Sequence, residues 1–150
     1  MPHLSFTTPL GELTLFEEDD RLVALEWGRA QPGVETPLLA QAAAQLNDYF
    51  DGRRRSFDLP LGPRGSSFQL AVWSELRRIP YGQVVRYGDL ARHLATAPRA
   101  VGSACGRNPL PIIVPCHRVL AANGHLGGYS APGGLGTKRF LLGLEGWNGA

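Results

Sequence analysis

The chain has 150 residues, 43% of them hydrophobic, and a formal net charge of +2, which suits one domain or two small ones. No run approaches the roughly 20 apolar residues of a membrane span, and the first residues lack the features of a secretory signal, so we expect a cytoplasmic protein with no membrane partner. Cys105 and Cys116 are its only cysteines, too few for a disulfide framework, and with no metal-ligand spacing in the chain we expect neither metal nor cofactor.

The first thirty residues alternate apolar and polar side chains in two runs, residues 4–16 and 22–27. The acidic segment 17–20 separates them. Period-two alternation interrupted by a charged turn is typical of antiparallel strands, so we predict a small antiparallel sheet.

A helix is predicted next, because an apolar stripe recurs at helical spacing at Leu39, Ala43, Leu46 and Phe50. Gly52 follows at a position that ends helices. Residues 53–65 contain two prolines and two glycines, which is typical of a linker. We therefore predict an N-terminal domain of sheet and helix at residues 1–62, without catalytic residues.

The second half begins with a predicted helix capped by Ser66 or Ser67. Its apolar stripe consists of Phe68, Val72, Leu76 and Ile79, with Trp73 beside it. A short helix at about 88–94, a four-residue turn at 95–98 and a second helix ending near Arg107 then predict a helix-turn-helix, with Pro98 at the first position of the second helix. Any pair of short antiparallel helices has the same pattern.

The second helix carries one large cation, Arg99, followed almost entirely by small side chains. Two glycines within a helix cost about 1 kcal/mol each relative to alanine. Either this backbone approaches an external surface closely, or it packs tightly against another helix of the protein. Residues 61–150 hold nine arginines and one lysine against three carboxylates, which indicates a polyanionic partner or simply an arginine-rich surface.

The segment 110–119 ends in Pro115-Cys116-His117-Arg118-Val119. A histidine beside a cysteine can generate the nucleophilic thiolate near neutral pH, although two neighbours on a strand can also face opposite ways. Glu145 is the only carboxylate after Asp89, so it is the candidate that could orient His117; alternatively it is an exposed residue at a helix end.

Two further elements are predicted around this segment. Asn123-Gly124 predicts a hairpin between 119–120 and 125–129. A last helix is predicted to start at a Thr137 cap, to end at Gly146, and to bury Phe140, Leu141 and Leu144.

The run Asn108-Pro109-x-Pro111-x-x-x-Pro115-Cys116-His117-Arg118-Val119 resembles the active-site signature of the O6-alkylguanine-DNA alkyltransferases, the methylated-DNA–protein-cysteine methyltransferases. Matching motifs stand in order before and after it, at Tyr81-Gly82-x-Val84, Tyr87, Arg99-Ala100-Val101-Gly102, Gly128-Tyr129-Ser130 and Leu141-Leu142-x-x-Glu145-Gly146. The resemblance implies an α+β fold, with a ribonuclease-H-like N-terminal domain at 1–62 and a helical, winged helix-turn-helix domain at 63–150 that binds DNA and carries the active site.

The resemblance also implies catalytic roles. Cys116 accepts the alkyl group, His117 removes the thiol proton through a bridging water, and Glu145 holds His117. Asn108 stabilises the turn that bears the cysteine. Tyr87 donates to a ring nitrogen of guanine as the base leaves.

Substrate contacts are implied in the same way. Tyr129 and Ser130 line the pocket, Pro111 packs on the alkyl group, and the Val119 carbonyl accepts from the guanine amino group. Arg99 enters the duplex in place of the extruded nucleotide. Small side chains at Ala100, Gly102 and Ser103, together with Tyr87, lie against the minor groove.

The implied activity is DNA repair by irreversible transfer, once per molecule, from O6-alkylguanine in double-stranded DNA, with O4-alkylthymine open as a second substrate. We expect a monomer. Three other functions use parts of the same pattern: a lesion-binding protein, which would lack the cysteine; a thiol hydrolase, which would turn over many times; and a helix-turn-helix regulator, whose recognition helix would need side chains that read bases in the major groove.

Overall fold

The computed structural model describes residues 1–147 and 149. The chain forms two compact units, Met1–Arg64 and Gly65–Ala150. The domain boundary predicted between residues 62 and 63 stays a prediction. Of the helices in the described ranges, none has the length and apolar character to cross a bilayer.

The N-terminal unit contains an antiparallel sheet in the order β1-β2-β3, with β1 at His3–Thr8, β2 at Gly11–Glu18 and β3 at Arg21–Trp27. The predicted antiparallel pairing is confirmed, but the run 4–16 holds two strands rather than one, because the chain turns at residues 9–10. The acidic turn is also shorter than predicted. Only Asp19 and Asp20 form it, both with positive φ, a conformation that aspartate tolerates better than most residues.

Helix α1, Pro37–Phe50, follows the sheet as predicted. The Thr36 hydroxyl accepts from the Leu39 amide at 3.1 Å and caps its first turn. The buried face of α1 packs on β1 and β2, so the core of this unit lies between helix and sheet. Leu39 and Leu46 on the helix and Leu13 and Leu15 on β2 are fully buried.

The C-terminal unit begins with α2, Ser67–Leu76, whose first turn has a capping box between Ser66 and Gln69. The predicted stripe is only partly correct, since Phe68 is 37% exposed whereas Val72 and Leu76 are buried. Trp73 is buried as well, and its indole nitrogen donates to the Ala104 carbonyl at 2.8 Å.

The predicted helix-turn-helix is present as α3, Tyr87–His93, and α4, Pro98–Gly106, which pack against each other. The turn predicted at Asn123-Gly124 is present, and the Ala121 amide donates to the His125 carbonyl across it at 2.8 Å. The strand predicted after it, at 125–129, is wrong: β5, Val119–Leu120, pairs in parallel with β4, Val85–Arg86. A two-residue strand has too little local preference to choose its partner, and the contacts of the two segments decide the pairing.

The last helix, α5, spans Leu135–Leu144. It begins two residues before the predicted Thr137 cap, after Gly134 at φ 51°. Phe140 is 41% exposed, whereas Leu141 and Leu142 are buried, so the predicted burial of Phe140 is wrong. The α+β fold class is confirmed, with a helix-rich second unit whose buried segment 110–120 lies before α5.

Candidate active site

The cysteine is held by a turn built around Asn108, the residue that follows α4 by two positions. The side-chain Nδ2 of Asn108 donates to the Val114 carbonyl at 2.8 Å, and its Oδ1 accepts from the Leu110 backbone amide at 3.0 Å. The Cys116 amide donates to the same Val114 carbonyl at 2.8 Å. Ile112 adopts φ 74°, which is costly for a β-branched residue and shows how tightly this turn is constrained.

Cys116 begins a short 3₁₀ helix, Cys116–Arg118, and lies at the wall of a cavity of about 480 Å³. Half of the residues that line the cavity are glycine or serine. The lining comprises Tyr87, Gly102, Cys105, Gly106, Cys116, Gly128, Tyr129 and Ser130. Only 7% of Cys116 is accessible, so a molecule reaches the sulfur through this cavity.

Burial raises the pKa of the Cys116 thiol, while Asn108, Lys138 and Tyr129 act in the opposite direction. Desolvation penalises an anion more than a neutral thiol, which explains the sign. The resting group is therefore a protonated thiol, and its nucleophilic form requires a base to remove the proton.

The candidate base is next in the chain. His117 Nε2 lies 2.7 Å from Glu145 Oε2, and neither side chain is exposed to solvent. With its Nε2 proton directed to the carboxylate, the neutral ring has Nδ1 as its acceptor. Nδ1 is buried and has no hydrogen-bond partner among the described residues. Burial lowers the pKa of His117, and Glu145 partly counteracts it.

Two buried cations belong to this site that the sequence does not identify. Arg118 Nε and Nη2 donate to the two oxygens of Glu145 at 2.8 and 2.9 Å. Its Nη1 donates to the Ile79 carbonyl at 2.7 Å. The available signal was a charged residue inside an otherwise apolar segment, because such a residue is buried only with partners.

The second cation is Lys138 on α5, which is fully buried. Its Nζ donates to the carbonyls of Val119 at 2.6 Å and Gly128 at 3.3 Å and also to that of Leu126. Burial lowers the pKa of Lys138 to about 8. Its position three residues before Leu141 on the buried face of α5 was a usable signal.

The remaining predicted catalytic residue, Tyr87, lies at the start of α3 and lines the cavity. Burial raises its pKa to about 12. Gly127 lies against its ring: a Cβ there would approach Tyr87 Cε2 at 3.3 Å, and its φ of +71° also favours glycine. Lys138 Nζ is 5.8 Å from the ring centroid.

Two of the four predicted substrate contacts, Tyr129 and Ser130, line the cavity. The Tyr129 hydroxyl is buried without a hydrogen-bond partner within the described ranges, and burial together with the nearby Cys116 raises its pKa. Pro111 and Val119 are buried outside the lining, where the Val119 carbonyl accepts from Lys138.

The predicted DNA-contacting side chains lie on α4. Arg99 and Ser103 are exposed, and Ala100 and Gly102 are partly exposed. A Cβ added at Gly102 would meet nothing closer than 4.0 Å, and one at Gly106 would meet nothing within 4 Å. Packing inside the protein therefore does not require these glycines, which removes one of the two explanations given for them.

Comparison with known proteins agrees with this geometry. A family model described as the DNA-binding domain of 6-O-methylguanine DNA methyltransferase matches residues 67–147, and one described as its ribonuclease-like domain matches residues 3–63. The chain belongs to this methyltransferase family. The resemblance drawn from the active-site motifs is thereby confirmed.

Individual methyltransferases match along nearly their whole length. The methylated-DNA–protein-cysteine methyltransferase of Methanosarcina acetivorans is 41% identical over 97% of this chain and 99% of its own. The constitutive enzyme of Bacillus subtilis is 46% identical over 92% of this chain and 91% of its own. A crystal structure of Mycobacterium tuberculosis OGT in complex with DNA is 41% identical, with a TM-score of 0.86 over 97% of this chain and 92% of that one.

Within residues 1–147 and 149, no three His, Cys, Asp or Glu side chains lie close enough together to hold a metal ion.

Proposed function

We propose that this chain repairs alkylated DNA by transferring the alkyl group from O6 of guanine to Sγ of Cys116. The observation that carries the proposal is a buried thiol at the wall of a 480 Å³ cavity, preceding a histidine that is bonded to a buried carboxylate. That volume accommodates a purine base with a substituent. Family membership supplies the reaction class.

The proposed reaction starts when His117 Nδ1 takes the thiol proton through a bridging water. The Cys116 thiolate then attacks the alkyl carbon, the carbon–oxygen bond breaks, and the electron pair leaves with guanine O6. Tyr87 donates its proton to a ring nitrogen of the departing base, and the proton held by His117 then passes through water to the Tyr87 phenolate, so the net change moves the thiol proton to guanine. Burial raises the pKa of Tyr87 to about 12, so the phenol is protonated at neutral pH and available as a donor to the base.

The product is a thioether at Cys116 and restored guanine. A thioether sulfur offers water no good leaving group, so each molecule reacts once. Many turnovers, as a thiol hydrolase would show, are therefore not expected. O4-alkylthymine is the second base that this chemistry admits, since it presents the same alkyl–oxygen bond.

We propose double-stranded DNA as the partner, contacted from the minor groove by α4. The glycines of α4 are not required by packing within the protein, which favours close approach of an external surface. Arg99, exposed at the start of this helix, would occupy the space of the extruded nucleotide. The α4 side chains Ala100, Gly102 and Ser103 offer little with which a sequence-specific regulator could read bases.

In the proposed function, one of the two domains holds the whole site. Residues 63–150 contain every proposed catalytic, pocket and DNA-contacting side chain, and residues 1–62 form a structural domain. A monomer suffices, because one chain holds the complete site. We further propose a cytoplasmic location, where reducing conditions keep the Cys116 thiol free to react.

The test uses a duplex oligonucleotide carrying O6-methylguanine with a labelled methyl group. After incubation and trypsin digestion, label is expected in peptide 108–118, which contains Cys116, and not in peptide 100–107, which contains Cys105. The Cys116→Ala variant should bind the duplex but retain no label. Label that stays on DNA bound by the wild-type protein would indicate recognition without repair.

A further inference from the structure

Glu145 is held by more than its histidine. Its Oε1 accepts from Arg118 Nε at 2.8 Å and from the Gly82 amide at 3.2 Å. Its Oε2 accepts from Arg118 Nη2 at 2.9 Å and lies 2.7 Å from His117 Nε2. The arginine thus engages both carboxylate oxygens in a fork, next to the imidazole, with 7% of its side chain exposed.

The charges of the Arg118–Glu145–His117 cluster balance only when His117 is neutral, because Lys138 lies on backbone carbonyls and not on Glu145. Arg118 carries one positive charge and Glu145 one negative charge, so a proton on His117 leaves a net positive charge in a buried cluster. Without Arg118, no guanidinium would compensate the Glu145 carboxylate, and protonation of the imidazole would neutralise the His117–Glu145 pair. Buried charges favour the protonation state that leaves them compensated.

Burial disfavours a proton on His117, and three ionisable side chains act on the ring as well. Glu145 favours the proton, whereas Arg118 and the buried Lys138 disfavour it. Arg118 and His117 bond to the same carboxylate, that of Glu145, whereas Lys138 does not. The charge of Arg118 therefore acts directly on the His117–Glu145 pair.

We propose that Arg118 is a positioning residue that keeps His117 unprotonated, so that Nδ1 can accept the proton of Cys116. The inference rests on the proposed alkyl transfer and adds to it the residue that sets the base's working range. Removal of the arginine should allow His117 to hold its own proton at neutral pH, which leaves no acceptor for the thiol proton.

A purely structural role for Arg118 makes a different prediction. The guanidinium also donates to the Ile79 carbonyl at 2.7 Å and lies 5.9 Å from the centroid of the Tyr81 ring. If it serves only to hold these segments together, its loss lowers stability and the rate at every pH but leaves the pH dependence of the rate unchanged.

The experiment compares Arg118→Met with Arg118→Lys. Single-turnover transfer from the methylated duplex is measured from pH 5 to 9. Iodoacetamide labelling of Cys116 provides a second measure without DNA, read in tryptic peptide 108–118, or in peptide 108–138 for Arg118→Met, which lacks the cleavage site at 118. In Arg118→Met the acid limb of both profiles should move upward by about one pH unit or more, a tenfold loss of rate on the limb per unit. Arg118→Lys keeps the charge without the fork, so its limb should stay near that of the wild type while its melting temperature falls.

An unchanged limb in Arg118→Met overturns the inference, and so does an equal shift in both variants, because the lysine retains the charge. If Arg118→Met does not fold, Glu145→Gln is compared with Glu145→Gln/Arg118→Met, which lacks both charges. The acid limb of the double variant should then lie at a higher pH than that of Glu145→Gln, and acid limbs at the same pH overturn the inference. Wild-type labelling of peptide 108–118 separately tests alkyl transfer itself, so a failure of the proposed function is distinguishable.

Discussion

Lys138 offers a quantitative test of the electrostatics around the thiol. Its ammonium is fully buried among backbone carbonyls, and its folded-state pKa is about 8 against 10.5 for the free side chain. A lysine with a lowered folded-state pKa opposes folding while it is charged. The shift corresponds to a cost of about 3 kcal/mol at pH 7, since one pKa unit is about 1.4 kcal/mol.

This cost disappears as the pH rises from about 8 towards 10.5, because the folded protein releases the proton while the unfolded chain keeps it. From pH 7 to pH 9 the Lys138 contribution to the free energy of unfolding should therefore increase by about 1 kcal/mol. Cys105 contributes with the opposite sign: burial raises its pKa to about 12, so its stabilisation is lost as the pH rises above its unfolded value of 9.0. The wild type and a Lys138 variant both carry Cys105, so the Cys105 contribution cancels when their free energies of unfolding are compared up to pH 9.

The measurement is urea unfolding of wild type and Lys138→Met at pH 7, 8 and 9, followed by tryptophan fluorescence. The wild type should gain about 1 kcal/mol relative to the variant across this range. Arg139→Met is the matched control, because it removes an exposed cation from the adjacent position of α5. Parallel stability curves for wild type and Lys138→Met would show that Lys138 has an ordinary pKa. Lys138→Met should also transfer the alkyl group more slowly than the wild type, because the ammonium that lowers the pKa of Cys116 is gone.

Three further predictions concern the residues around the cavity. Arg99→Ala should slow transfer from duplex DNA more than transfer from the free base O6-methylguanine, because only the duplex requires extrusion; equal losses would exclude this role. Tyr87→Phe should lower the single-turnover rate about 100-fold, the range for a lost proton donor, while a normal rate would remove Tyr87 from the reaction. Asn108→Ala should lower the free energy of unfolding by about 1–3 kcal/mol through two lost hydrogen bonds, as urea titration can check; an unchanged value would mean that the turn is held by other contacts.

Local signals were sufficient for most of the helices. Ser66 and Gln69 form the capping box of α2, and Pro98 is the first residue of α4, because caps and proline act through the backbone within a few residues. Local signals failed where tertiary contacts decide, as in the parallel pairing of β5 with β4. The break at residues 9–10 also went unpredicted, although Pro9 and Gly11 are turn residues and the apolar positions change phase between Phe6 and Leu13.

The catalytic pair was predictable for a reason specific to this sequence. Glu145 is the only carboxylate after Asp89, so a buried imidazole at position 117 had a single acidic candidate downstream. The structure brings the two within 2.7 Å. Had this half of the chain been rich in carboxylates, charge alone would not have selected one, and the family resemblance would have carried the assignment by itself.

The excess of cations in this half of the chain hides Arg118 and Lys138 in the sequence. In a segment with ten cations and three carboxylates, most cations are expected on the surface, and the net charge points to a polyanionic partner. Burial reverses that expectation for these two, because each has found fixed oxygen partners: the Glu145 carboxylate for Arg118, and backbone carbonyls for Lys138. A thiolate at a buried sulfur is stabilised by nearby positive charge, and this half of the chain carries positive charge in excess. Lys138 lowers the pKa of Cys116, and Arg118 acts on His117 in the proposed reaction; neither effect is visible until the partners of each charge are known.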